Sequence, residues 1–237
     1  MAVTAPAANT DPSARGGAGK VTAATTAFAA IRQDILDGSL PPGQRLKIDT
    51  LCQRFSASIN PVREALNRLS AEGLVVLEDQ RGFSVAPVSL EDWREVVRAR
   101  CMIEACALRE AIAHRTDAWE EGIVLALHWL TRTPRFLDET RTANPDWELR
   151  HHAFHNALLV TCNSRIVLEV CDDLRDRSDR YRRIASLSPE ARTTYPAEHQ
   201  EIAEATLAGR ADQAVELLTE HYRRTLRVVE AFLQRRD

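Results

Sequence analysis

Among its 237 residues the chain has no apolar run approaching the roughly 20 residues that a bilayer-crossing helix needs, which excludes a transmembrane helix. Its five cysteines, Cys52, Cys101, Cys106, Cys162 and Cys171, are odd in number and include no C-x-x-C pair. That argues against a disulfide framework or a paired redox centre, and for small hydrophobes in a reducing, cytoplasmic setting. The first 20 residues lack the charged start and apolar block of a signal peptide; rich in Ala, Pro, Gly and Thr, residues 1–20 are expected to be a disordered tail. Lysine is nearly missing, with only Lys20 and Lys47 present. A basic surplus is missing as well. The net charge is −3, and residues 1–88 hold nine Lys/Arg against eight Asp/Glu, leaving 22 against 26 for the remainder. Composition therefore gives no support for nucleic-acid binding, and any such reading has to rest on where residues are placed.

Placement is informative in residues 58–73, SINPVREALNRLSAEG. Asn60 suits an N-cap, Pro61 the first helical position and Gly73 the left-handed residue after the end. Val62, Ala65, Leu66 and Leu69 share one helical face, while Arg63, Asn67 and Arg68 point elsewhere. Residues 49–55 read as a short preceding helix carrying Leu51 and Phe55, with residues 56–59 as a tight connection. This is the spacing of a helix-turn-helix, whose second helix enters a DNA major groove. The alternative is a pair of core helices in an unrelated helical domain. Upstream, residues 22–37 place Phe28, Ile31 and Ile35 at helical spacing before a Pro-Pro-Gly turn; downstream, residues 74–77 and 83–86 are β-prone runs around a turn at Gln80-Arg81-Gly82. Helix, helix-turn-helix and hairpin in that order make a winged helix over residues 21–88, which weakens the alternative.

These residues resemble the GntR superfamily of bacterial transcription regulators. The run from Ile31 to Val85 carries the resemblance through PVREALNRL, EGLV and an RG wing. It implies a double-stranded DNA operator as partner, with Arg63 and the wing residue Arg81 facing DNA; Asn60 and Asn67 of the second helix, and Arg45 and Lys47 before it, are further candidates for the DNA side. Relatives commonly carry a basic residue just before the proline; here Ile59 and Asn60 occupy those positions, so that contact is missing. For Arg63 the competing role is a solvated helix face pairing with Asn67 or Glu64.

Residues 89–237 read as almost entirely helical, with residues 133–143 as a looser connection, giving a mainly α chain: a winged helix-turn-helix followed by an all-α antiparallel bundle of six or seven helices. Ser89 and Thr116 cap the first two helices, Asn144-Pro145 starts a third, and a densely charged helix runs over residues 164–186. Pro189 and Pro196 interrupt the stretch after it, and a last helix covers residues 212–236. His151 and His155 lie four apart on one helix, so both imidazoles leave the same face; His199 and His221 lie on later helices. Four neutral nitrogen donors suit zinc, nickel or copper better than magnesium or calcium. A helical His pair is nevertheless more often a surface pair. His114, His128 and His152 are assigned to solvent or packing.

This half is similar to the FCD domain that FadR-type GntR regulators carry behind the winged helix, through VRARCMIEACALREAIA, AFHNALLVTCNSRIV, EHQEIAEATLAGRADQAVELL and TEHYRRTL. In metal-containing members one Asp and three His hold a divalent cation. The three His positions fall on His155, His199 and His221, and the Asp position is His151, an exchange that keeps a ligand but loses a negative charge. Zinc or nickel is the metal expected at this set. The resemblance also places Arg100 beside a small carboxylate effector; its competing role is an internal pair with Glu104. The function implied is a homodimeric, effector-controlled regulator, by family habit a repressor. Two alternatives stand: a regulator that senses the metal itself, and a His-cluster metalloenzyme, whose nearest general base is Glu148, one turn before His151.

Overall fold

A computed structural model describes residues 22–36, 38–138, 143–186 and 195–234. The tail expected over residues 1–20 and the break expected at Pro189 lie outside the described residues. In chain order the elements are α1 (Ala23–Leu36), β1 (Arg45–Leu46), α2 (Ile48–Phe55), α3 (Ile59–Ala71), β2 (Val75–Glu78), β3 (Gly82–Val85), α4 (Leu90–Ala113), α5 (Asp117–Arg132), α6 (Pro145–Leu159), α7 (Arg165–Ser186), α8 (Tyr195–Leu207) and α9 (Ala211–Leu233). The described residues thus give a winged helix-turn-helix followed by six helices. No described helix is long and apolar enough to cross a membrane.

The α3 face read from the sequence is the packed one: Val62, Ala65, Leu66 and Leu69 are fully buried, against Ile31 and Ile35 of α1 and Leu51 of α2. Its start is two residues earlier than the sequence suggests. Ser58 occupies the N-cap with extended backbone angles and no side-chain cap, so Asn60 and Pro61 lie inside the first turn. Pro61 fits there because the first-turn N–H groups have no partner within the helix. Gly73, at φ +72°, supplies the left-handed residue beyond the end. The wing is a three-stranded antiparallel sheet of order β1-β3-β2, not a simple hairpin. Its extra strand is two residues long, Arg45 facing Ser84 and Leu46 facing Phe83, too short to leave a periodic signal. Gln80 (φ 63°) and Gly82 (φ 81°) turn β2 into β3.

The second core gathers apolar residues from all six later helices, among them Trp93, Leu108, Trp119, Ile123, Phe154, Leu158, Ile202 and Leu218. Their starts reflect local capping chemistry. The Ser89, Thr116 and Asn144 side chains accept from the backbone N–H of Asp92, Trp119 and Asp146, each tying down an otherwise orphan donor of the first turn. The thiols are unevenly placed: Cys162 and Cys171 are buried, Cys52 and Cys101 half-buried, and Cys106 exposed.

Helix α7 lies in the second core through Cys171 and Tyr181 and makes polar contacts to the winged helix. Arg32 of α1 pairs with Asp176, and the Arg180 guanidinium donates to the Ala86 carbonyl at the end of the wing. The Tyr181 hydroxyl accepts from the Ser89 N–H at 3.2 Å and donates to Asp92 Oδ2 at 2.6 Å, while its ring stacks on Trp93. The run LRDRSDRYRR is therefore a seam, with Arg175, Asp179, Arg180, Tyr181 and Arg182 all buried.

Candidate DNA-binding face and metal centre

The polar side of α3 is open. Asn60, Arg63 and Asn67 are exposed, as is Arg81 on the wing. Arg63 forms no hydrogen bond or ion pair with another described residue, so its guanidinium is available to a phosphate or base edge. Arg81 lies 3.6 Å from Glu78. Arg45 is exposed but engaged: its Nε and Nη2 donate to the Arg81 carbonyl at 3.0 and 2.6 Å, so it fastens β1 to the wing turn. Arg68 lies over the Phe28 ring at 4.1 Å, a packing role. Ile59, half-exposed at the start of α3, occupies one of the two positions before Pro61.

In the helical half, α6, α8 and α9 bring His151, His155, His199 and His221 together. All four are buried, and each offers a nitrogen within 4.8 Å of the others. The separation of His151 Nε2 and His155 Nε2 is 3.2 Å. Tetrahedral zinc with Zn–N bonds of about 2.0–2.1 Å sets its donors about 3.3–3.4 Å apart, so the pair fits one edge of such a site. Two further contacts point the rings. His221 Nδ1 meets Glu198 Oε2 at 2.8 Å, and His155 Nδ1 meets the Tyr222 hydroxyl at 3.3 Å. Each partner favours a proton on Nδ1 and leaves Nε2 as the donor atom. Glu198 is also reached by Arg224 at 3.2 Å.

Protonation state fits the same role. Burial first, then Arg182 and the three neighbouring histidines, hold His151 well below the usual imidazole range. For His155 burial is followed by His221, His199, Arg100 and Arg175. Neutral imidazole is the form that ligates a metal. His151 stacks on Trp147 at 4.8 Å, and its Nδ1 is buried without a hydrogen-bond partner among the described residues. Carboxylates are near: Glu148 and Asp179 each offer an oxygen within 4.8 Å of a His151 nitrogen. Arg182 engages both, meeting Asp179 at 2.8 Å and pairing with Glu148.

Arg100 is buried in α4 with its fork occupied. Nε donates to Glu104 Oε1 at 2.6 Å, Nη2 reaches Oε2 at 3.4 Å, and Nη1 donates to Ser178 Oγ at 3.0 Å. Its plane lies 3.9 Å over the Tyr222 ring, and Tyr222 donates to Glu104 Oε2 at 2.6 Å. Burial alone would lower the Arg100 pKa, but Glu104 and then Tyr222 outweigh it and raise it. Burial, then Glu104, raise the Tyr222 phenol well above its ordinary value. Arg100, Glu104, Tyr222 and His155 thus form one chain of contacts ending in the histidine cluster. Sequence reading missed Tyr222, Glu198, Asp179, Arg182 and Arg175. Tyr222 and Glu198 stand beside His221 and His199, a sequence signal that could have raised them; the α7 residues lie in a charge run that resembles a solvated face.

Comparison with known proteins gives two family matches. Residues 23–85 match "Bacterial regulatory proteins, gntR family", and residues 95–224 match the FCD domain. The chain is 34% identical over 210 residues to the HTH-type transcriptional regulator BphR of Paraburkholderia xenovorans, covering 86% of this chain and 84% of that protein. It is 33% identical over 195 residues to the HTH-type transcriptional repressor GlaR of Escherichia coli, covering 81% and 88%. Among solved structures, E. coli McbR/YncC superposes with a TM-score of 0.73 at 19% identity, over 90% of this chain and all of that one. A GntR transcriptional regulator from Rhodococcus sp. RHA1 gives 0.70 at 23%, over 88% and 97%. At these identities the structures speak for the fold alone.

Proposed function

This chain belongs to the gntR family of bacterial regulatory proteins and carries an FCD domain, which makes it a DNA-binding transcription regulator and not an enzyme; from that premise we propose that it represses transcription under control of a small carboxylate bound beside a divalent metal. The winged helix of residues 21–88 binds operator DNA in the cytoplasm as half of a homodimer, because one α3 reads too few base pairs alone. Arg63, Asn60 and Asn67 approach the major groove, and Arg81 reaches out from the wing while Arg45 holds its turn. Residues 89–237 form the sensing domain. Repression is the activity named for GlaR, a relative that covers most of this chain.

The observation that carries the sensing half is the convergence of four buried histidines, two of them held neutral and two oriented through Nδ1 contacts. Zinc or nickel fits this nitrogen set, and the metal would supply a fixed positive charge, to which an oxygen donor would be added as a fifth ligand. Helix α7 offers the route outward. Ser178, Asp179 and Arg182 contact the sensing centre, while Asp176 and Arg180 contact the winged helix. An effector that binds two settings of α7 with different affinity would shift operator binding by that difference.

The test is a fluorescence-anisotropy titration against DNA flanking the protein's own gene, with random DNA as control, at several salt concentrations and after metal removal by chelation. A specific-to-random ratio of about 10³ or more, a clear salt slope and a changed affinity after chelation are expected. Equal binding to both DNAs would remove the operator reading. Unchanged affinity after chelation would reduce the metal to a structural role.

A further inference from the structure

We infer that Arg175 of α7 is the anion receptor of the sensing domain: its Nε–Nη2 edge takes the carboxylate of a small organic acid bound beside the four histidines. This rests on the regulatory function proposed for the chain and names the residue and ligand class behind it. Arg175 is 1% exposed. Its Nη1 is satisfied by Asn156 Oδ1 and by Asp172 Oδ1, the latter at 2.7 Å. Nε and Nη2 are buried and have no hydrogen-bond partner among the described residues. Buried guanidinium N–H groups without acceptors are costly and uncommon in native proteins, so two on one side chain require an explanation.

The two unpartnered nitrogens are those of a single edge. On that edge the N–H bonds run nearly parallel, at the spacing of the two oxygens of a carboxylate, so one bidentate anion satisfies both. Arg100, the position that family resemblance favours, has no such edge free: Glu104 and Ser178 occupy all three of its nitrogens. Arg175 also lies in the right layer of the domain. Asn156, which its Nη1 contacts, directly follows His155 in α6, and Ser178, which binds Arg100, is one turn along α7 from Arg175. Arg175 is therefore a charged fork beside the helix that carries His151 and His155, with one edge unpaired among the described residues. Asp176, the next residue of α7, pairs with Arg32 of the winged helix, so an acid on Arg175 would act on the helix that joins the two halves.

The test is isothermal titration of the zinc-loaded full chain with acetate, malonate and succinate, and with sulfate as a tetrahedral control. At least one of the three acids is expected to bind saturably and more tightly than sulfate. Arg175→Gln should weaken that acid by about tenfold or more, with zinc content and circular dichroism unchanged. Arg175→Lys keeps the charge but loses the two-point edge and should weaken it as well; if the Gln variant does not fold, the Lys variant decides. Binding within twofold of wild type in either folded variant overturns the proposal. So does failure of all three acids to bind the wild-type chain, which would leave ordered water as the partner of Nε and Nη2. Operator affinity separates the two readings. An acid that still binds Arg175→Gln and still shifts operator affinity removes Arg175 and keeps acid control. An acid that binds through Arg175 without shifting operator affinity keeps the anion site and removes acid control.

Discussion

The two halves of this chain place their polar chemistry on opposite sides of their cores. Every buried polar or charged residue identified lies at Arg100 or beyond, while the core of the winged helix, from Ala27 to Val85, is apolar throughout. Its functional candidates, Asn60, Arg63, Asn67 and Arg81, stand in solvent. The helical half encloses Arg100, Glu104, His151, His155, Arg175, Asp179, His199 and His221. A DNA reader needs charges free to meet phosphate, and water around them costs little before binding. A sensor of a small ligand needs groups desolvated and oriented in advance, which sacrifices stability until the ligand arrives. The first half should therefore separate stability from function under mutation, and the second should not.

The sharpest break of that contrast comes from removing ligands. His155→Ala with His199→Ala should abolish retention of metal through purification, read by elemental analysis. Metal at the wild-type ratio would mean the cluster is packing and the second half no different from the first. Next in size is Glu104→Ala. It leaves Arg100 buried without its carboxylate and takes the acceptor from Tyr222, so a loss of about 3–5 kcal/mol is expected in denaturant unfolding. A change below about 1 kcal/mol would show that water reaches this layer.

Arg63→Ala sharpens the other side. Operator affinity should fall by about 1–3 kcal/mol while the melting temperature stays put, because the side chain is exposed and bonds to no other described residue. Unchanged affinity removes Arg63 from the contact set. Smallest is Thr116→Ala, which deletes the cap of α5, a helix that carries none of the candidate site residues, and should cost about 1 kcal/mol with metal content and operator binding intact.

Legibility in the sequence divides along the same contrast between local and distant partners. Elements bounded by local chemistry could be read almost to the residue: Ser89, Thr116 and Asn144-Pro145 start α4, α5 and α6 where their side chains accept first-turn N–H groups. Asn60-Pro61 carried the same signal and misled, since a proline is tolerated anywhere in the first turn and Ser58 takes the cap. The two-residue β1 was illegible because its pairing with β3 is decided by tertiary contact. His151 and His155 were visible as a pair through their spacing, and His199 and His221 were joined to them through family likeness. The seam on α7 was not. A run of Arg and Asp reads as a solvated face unless the partners are known, and those partners, Ala86, Asn156, Glu148 and Arg100, are scattered along the chain. Arg100 itself was read with two roles open; the geometry displays the ion pair with Glu104.

The most direct test of coupling between the two halves is the operator dissociation constant of one preparation in three states: metal-free, zinc-loaded, and zinc-loaded with the tightest-binding acid of the acetate, malonate and succinate series. The account predicts that the acid shifts operator affinity of the zinc-loaded chain by about 5-fold to 150-fold, and that operator DNA shifts acid affinity by the same factor. Identical operator affinity in all three states would contradict it, leaving a DNA reader joined to a helical domain that does not inform it.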